Sequence, residues 1–228
     1  EVCFAGTRLY LPENLHDKFV NKLAEKAKKI PMGNPLDHST QLGPLMTKKR
    51  VEDISRYIEL ALSEGANIIC GGKQPKNKGL EKGNFFEPTI ATNISQNSKI
   101  VKDEIFGPVL CVFKYNTVEE AINYANDNDY GLASYVWSND VRESHKLATM
   151  LESGNVFINS YGYQSEIPFG GYKKSGIGRE HGTEAIKEYT QTKSVTVGLE
   201  RFESRFKINW SIFHIFIIFK KIINQKKN

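Results

Sequence analysis

Three features of this 228-residue chain predict an α/β fold with an open, mostly parallel sheet flanked by helices. Apolar residues recur every three or four positions in segments long enough to be helices, notably 13–30 and 47–64. Short apolar runs of strand length, such as 67–70 and 109–115, stand between such segments. Glycine and proline mark the joins. Strands alternating with helices of this length are the pattern of βαβ units, and such sheets bind ligands in crevices at the carboxyl ends of their strands.

Residues 8–11 read as the first strand. The helix over 13–30 places Leu15, Phe19, Leu23, Ala27 and Ile30 on one face. Three prolines and two glycines make 31–45 a loop. A second helix over 47–64 carries Val51, Ile54, Ile58 and Ala61 in register, and Gly65 ends it. A strand at 67–70 stops at Gly71-Gly72, and the polar stretch 73–83 is a surface excursion. Strands follow at 85–91 and 109–115, with a short helix at 98–105 between them. Helix 118–126, strand 133–137, helix 141–151 and strand 154–159 continue the alternation. After a glycine-rich stretch come a helix near 180–189 and a strand at 194–197.

The charge is unevenly distributed. Of 31 basic and 26 acidic residues, seven and two fall within 200–228, which leaves 24 of each in the body. A balanced body gives no electrostatic case for a nucleic-acid partner. Three cysteines, Cys3, Cys70 and Cys111, are too few and too odd for a disulfide scaffold and suit a reducing compartment, hence a cytoplasmic location. Five scattered histidines and the absence of any Cys-x-x-Cys argue against a metal site. From Phe206 onward, 19 of 23 residues are Phe, Ile, Lys or Asn, four amino acids with A/T-rich codons, as expected of translated AT-rich sequence. The apolar run at 208–219 is too short to span a bilayer, which needs about twenty apolar residues. Surface association through that run and Lys220-Lys221 is the membrane reading that stays open.

Two of the cysteines read as core: Cys111 sits among Val109, Leu110, Val112 and Phe113, and Cys70 ends a strand. Cys3, followed by Phe4, Ala5 and Gly6, reads equally as a packed thiol or as a nucleophile that a ligand can approach closely. Glu104 and Phe106 precede a Gly107-Pro108 break. They are a helix end and turn, or a carboxylate for ribose hydroxyls beside an aromatic for a flat ring. Four glycines within 170–178 mark a tight, ordered loop that lacks the residue order of a phosphate-binding P-loop.

Taken in order, five segments resemble the C-terminal half of an aldehyde dehydrogenase: EVCFAGTRL at 1–9, EIFGPVL at 104–110, NVFIN at 155–159, PFGGYKKSGIGRE at 168–180 and YTQTKSVTV at 189–197. The resemblance covers roughly residues 1–199. It implies a catalytic domain over 1–178, a C-terminal helix and oligomerisation strand over 179–199, and an atypical tail over 200–228. It implies that Cys3 is the catalytic thiol, that Glu104 and Phe106 hold the nicotinamide ribose and ring of NAD or NADP, and that Phe4 and Phe169 line the aldehyde tunnel. Lys193, Ser194, Val195, Thr196 and Val197 match the family's exchanged strand, which implies a homo-oligomer.

In that family the general-base glutamate, the oxyanion-hole asparagine and the coenzyme-binding domain all precede the nucleophile, and none is in these 228 residues. The expectation is oxidation of an aldehyde to an acid by the family, with little turnover by this chain alone. The alternatives are a non-catalytic oligomerisation partner of an intact homologue and an acylating enzyme that passes the acyl group to coenzyme A.

Overall fold

The computed structural model describes residues 1–77, 79–162 and 164–199. Its first strand, β1 (Arg8–Pro12), runs directly into helix α1 (Glu13–Ala27). Helix α2 (Lys48–Ser63) follows the Pro-rich loop, and the Thr47 side chain caps it by accepting from the Arg50 N–H. Strands β2 (Asn67–Cys70) and β3 (Thr89–Thr92), helix α3 (Lys99–Lys102) and strand β4 (Val109–Tyr115) complete the first half. The second half holds α4 (Val118–Asn126), β5 (Tyr130–Gly131), β6 (Ala133–Val136), α5 (Val141–Met150), β7 (Asn155–Ile158), β8 (Tyr172–Lys173) and α6 (Ala185–Glu188).

The main sheet has the order β1-β4-β3-β2. β4 pairs in parallel with both β1 and β3, and β2 closes one edge antiparallel to β3. β6 and β7 form a separate parallel pair, and β5 and β8 a short antiparallel one. The fold is thus α/β and mostly parallel, as the alternating pattern predicts, with the strands divided among three small sheets.

β4 explains how helices come to lie on both faces. Side chains alternate along a strand. Val109, Cys111 and Phe113 enter one core with Ile54, Ile58 and Ala61 of α2 and Ile100 and Val101 of α3. Val112 enters the other with Val20, Ala24 and Ala27 of α1. Ile54 is completely buried, worth about 1.5–3 kcal/mol of transfer free energy for a side chain of its size. Both cysteines read as core are buried.

The structure corrects the face of α1. His16, Val20, Ala24 and Ala27 are buried, whereas Leu15 and Phe19 remain 50% and 45% exposed. The stripe predicted from sequence is therefore wrong at Leu15 and Phe19, whereas Ala27 is buried as read and Leu23 packs partly against the same core. Small Ala24 and Ala27 let the helix close against the sheet, a fit that counting large apolar residues overlooks. His16 directs Nδ1 to the Asp17 carboxylate at 2.7 Å.

Three elements are shorter than expected. The strand at 85–91 begins only at Thr89: Pro88 lacks an N–H for the ladder, and Phe85 and Phe86 are buried before it as core side chains. The helix at 98–105 spans only Lys99–Lys102. The helix near 180–189 shrinks to Ala185–Glu188, because His181 and Gly182 take left-handed φ angles of 60° and 58° that a right-handed helix cannot include.

Glu1–Thr190 forms one structural unit, and a second begins at Gln191. Within the second, residues 191–199 are exposed and contain neither helix nor strand. The strand expected at 194–197 has no ladder partner among the described residues 191–199, and an extended backbone becomes a strand only when its N–H and C=O groups are paired. The tail expectations for 200–228 lie outside the described residues. Among the described residues, no helix is long and apolar enough to cross a membrane.

Candidate active site

Cys3 occupies the corner of a turn. The Ala5 N–H donates to the Val2 carbonyl at 3.0 Å, which leaves Cys3 and Phe4 as the central residues. The turn precedes β1, whose start is pinned where the Cys111 N–H donates to the Thr7 carbonyl at 2.9 Å. The Cys3 thiol is exposed, unlike Cys70 and Cys111. Burial pushes the Cys111 thiol up to about 12, so it is inert as a nucleophile at neutral pH.

Glu104 and Phe106 reach the same place from the neighbouring strand: β4 runs parallel to β1, so the segments that precede the two strands lie at one end of the sheet. They lie in the loop between α3 and β4, anchored by buried Ile105. Phe106 adopts φ 55°, a left-handed conformation that typically costs a non-glycine residue about 1–3 kcal/mol. The Arg50 guanidinium, from the first turn of α2, lies 5.2 Å from the centre of the Phe106 ring and supports it by a cation–π contact. Glu104 is exposed and has neither hydrogen bond nor ion pair among the described residues.

These residues line one cleft of about 330 Å³, which includes Cys3, Phe4, Glu104 and Phe106 and, on another wall, Ser134 and Ser153. Four of the five site residues expected from sequence therefore meet there. Phe169 does not line that cleft. It contacts Phe4 edge to face, with ring centroids 5.8 Å apart.

Phe4 and Phe169 belong to a larger aromatic group. Tyr135 on β6 is the register partner of Phe157 on β7, so their side chains share a face, and the rings stack at 5.2 Å. Tyr161 also stacks on Tyr135, at 5.3 Å. Phe4 lies 6.4 Å from Phe157 and 6.0 Å from Tyr161. The Tyr135 hydroxyl donates to the Phe4 carbonyl at 2.5 Å. Burial, followed by the charges of Tyr161 and Cys3, pushes the Tyr135 phenol up to about 12.

The glycine-rich stretch frames this region. Phe169 and Glu180 exchange backbone hydrogen bonds of 2.7 and 2.8 Å. The Asn155 side chain donates to the carbonyls of Leu132 and Gly170. Gly154 passes so near that a Cβ there would sit 1.9 Å from the Gly170 oxygen. Lys173 donates to the Asn126 and Asn128 carbonyls and pairs with Glu152 at 2.6 Å, which fixes the loop after α4 beside the cleft.

Sequence reasoning missed Tyr135, Phe157, Tyr161 and Arg50. Tyr135 and Phe157 stand in segments read as strands, but only the pairing register brings them together. No metal-binding group of three or more His, Cys, Asp or Glu is present among the described residues. The arrangement supplies an exposed thiol, an open carboxylate and an aromatic face around one space, with a ring-lined flank beside the thiol.

The family model described as "Aldehyde dehydrogenase family" matches residues 1–195. A betaine aldehyde dehydrogenase of Brucella anthropi is 42% identical over 205 residues, covering 90% of this chain and 42% of that protein. A putative aldehyde dehydrogenase of Staphylococcus aureus is 44% identical over 195 residues, covering 86% and 41%. Among solved structures, a Staphylococcus aureus betaine aldehyde dehydrogenase in complex with NAD+ is similar with a TM-score of 0.83 at 40% identity, covering 89% of this chain and 42% of that one. A Bacillus cereus aldehyde dehydrogenase with NAD+ is similar with a TM-score of 0.83 at 39% identity, covering 87% and 40%. The chain spans about two fifths of the length of the curated relatives it matches.

Proposed function

Because the chain belongs to the aldehyde dehydrogenase family, we propose that it carries the catalytic half of an oxidoreductase that converts an aldehyde to a carboxylic acid with NAD or NADP. The observation that carries this reading is the placement of the exposed Cys3 thiol in one cleft with Glu104 and Phe106.

As thiolate, Cys3 adds to the aldehyde carbon and forms a thiohemiacetal. The carbonyl oxygen gains negative charge, and the Cys3 backbone N–H is a donor for it. The open carboxylate of Glu104 suits ribose hydroxyls, and the Phe106 face suits a flat nicotinamide ring, so these residues fit that end of the cofactor. When bound there, NAD+ or NADP+ supplies the two-electron acceptor for the hydride that leaves the substrate carbon. Cys3 then carries the acyl group as a thioester, which water releases as the acid, with return of the thiol. Phe4 and Phe169 line the approach of the aldehyde and favour an apolar or ring-bearing substituent.

Residues 1–178 form the catalytic domain in this reading, and 179–199 the oligomerisation arm. Lys193, Ser194, Val195, Thr196 and Val197 complete a strand in a second copy, as the exposure of that extended-chain segment allows. A free thiol at the reacting centre suits a reducing compartment such as the cytoplasm. The chain alone turns over little or no aldehyde, because the family's general base and oxyanion asparagine precede the nucleophile and are not among these residues.

Complementation tests the proposal. The chain is coexpressed with the N-terminal segment of the Brucella anthropi relative, and aldehyde-dependent formation of NADH is followed. The expected result is turnover by the pair, none by the chain alone, and none after Cys3→Ala although NAD+ still binds. Full turnover by the Cys3→Ala pair would sink the assignment of the nucleophile.

A further inference from the structure

The turn that carries Cys3 is fastened to a strand 131 residues away. Tyr135 lies within β6, stacked with both Phe157 and Tyr161 at interplanar angles of 17° and 21°. A ring in stacking contact with two others has little freedom, so its hydroxyl is aimed. It donates to the carbonyl of Phe4, the residue following the thiol, at 2.5 Å. The ring also packs at contact distance over Gly6, just beyond the turn: a Cβ there would meet it in ordinary van der Waals contact at 3.8 Å. The raised phenol keeps its proton through neutral and mildly alkaline pH and therefore remains a donor.

We propose that Tyr135 is the positioning residue of the nucleophile. Its hydroxyl holds the Val2–Ala5 turn so that Cys3 faces the cleft of Glu104 and Phe106 while the Phe4 ring stays against Phe169. The proposal rests on the reading of Cys3 as the nucleophile. A phenylalanine at 135 keeps the stack and loses only the tether, whereas the burial of the two other cysteines is independent of it. Small displacements of a reacting group can cost up to about a hundredfold in rate, so a single hydrogen bond at this point has leverage.

The test is made on the full chain and needs no turnover. Alkylation of Cys3 is measured with iodoacetamide and with its N-benzyl analogue, whose ring can use the aromatic flank, and the modified peptide is quantified by mass. Tyr135→Phe should lower the ratio of benzyl to unsubstituted rate constants by about tenfold. The Ala5 amide should exchange faster with deuterium while β6 and β7 keep their protection. Cys70 and Cys111 should stay unmodified, which separates a loosened turn from general unfolding. Tyr115→Phe, which removes a hydroxyl on β4, should leave the ratio unchanged. A Tyr135→Phe chain with the wild-type ratio and wild-type Ala5 exchange overturns the tether and leaves the reading of Cys3 intact. A wild-type Cys3 that resists both reagents overturns the reading of the nucleophile and the tether with it.

Discussion

Phe4 and Phe169 meet edge to face at an interplanar angle of 75°, although one stands in the turn before β1 and the other in the glycine-rich stretch after β7. The contact ties the two ends of the first structural unit together beside the thiol. Aromatic pairs in this geometry contribute about 0.5–1.5 kcal/mol beyond the area they bury. Phe169→Ala should therefore lower unfolding stability by about 1–3 kcal/mol, less than for a fully buried ring because Phe169 is only partly buried. Urea titration followed by far-UV circular dichroism measures it. A midpoint equal to that of the unaltered chain would mean the contact adds nothing.

Glu104→Gln keeps the shape of the side chain and removes its charge. Hydrogen bonds to charged groups contribute about 1.5–3 kcal/mol, so NAD+ should bind the complemented protein roughly ten- to a hundredfold more weakly. Calorimetric titration reads the change directly. Equal affinities would remove Glu104 from the cofactor site.

Alkaline pH should destabilise the fold in a defined window. Burial raises the Cys111 thiol from 9.0 to about 12. Burial first, and then the charges of Tyr161 and Cys3, raise the Tyr135 phenol from 10.0 to about 12. Both groups hold their protons more tightly when folded, so their contribution is complete below the unfolded values and is lost as pH climbs towards 12. Cys111→Val fills a similar volume without a titrating group. It should flatten part of the fall in urea midpoint that begins near pH 9, to which the Cys70 thiol, also raised by burial, contributes, and leave the later fall due to the raised phenols of Tyr10, Tyr115 and Tyr135. An unchanged profile in the variant would show that Cys111 contributes nothing to the onset.

Self-association should depend on the segment after Gln191. Val195 and Val197 are exposed apolar residues in a stretch, 191–199, that forms no strand among the described residues. Val195→Asp places a charge where a neighbouring sheet would bury it, and should weaken association by about tenfold or more. Sedimentation velocity across a concentration series checks this. A variant with the same mass distribution as the parent would place the contact between copies elsewhere.

Much of the fold was legible because period and punctuation agree locally. Helix α2 carries Val51, Ile54, Ile58 and Ala61 at helical spacing behind a capping Thr47, and all four apolar residues are buried as read. Helix α1 was legible as a helix but not in its orientation. Its apolar residues form two neighbouring stripes, and the choice between them is made by the sheet, through small Ala24 and Ala27. Cys3, Glu104, Phe4 and Phe106 were legible as candidates, and the cleft brings those four together. Tyr135 was not, because its importance arises from a hydrogen bond across 131 positions and a stack fixed by strand register. No local pattern encodes either relationship.

The crossing of Gly154 and Gly170 limits how this protein can change over generations. A methyl group at position 154 would occupy the space of a carbonyl oxygen on the opposing segment. Natural variation that retunes the rings beside the thiol must therefore come from exchanging the rings themselves. Bulk added at the crossing would pry apart the two backbones on which those rings are mounted, and selection would meet it as lost protein rather than as altered preference.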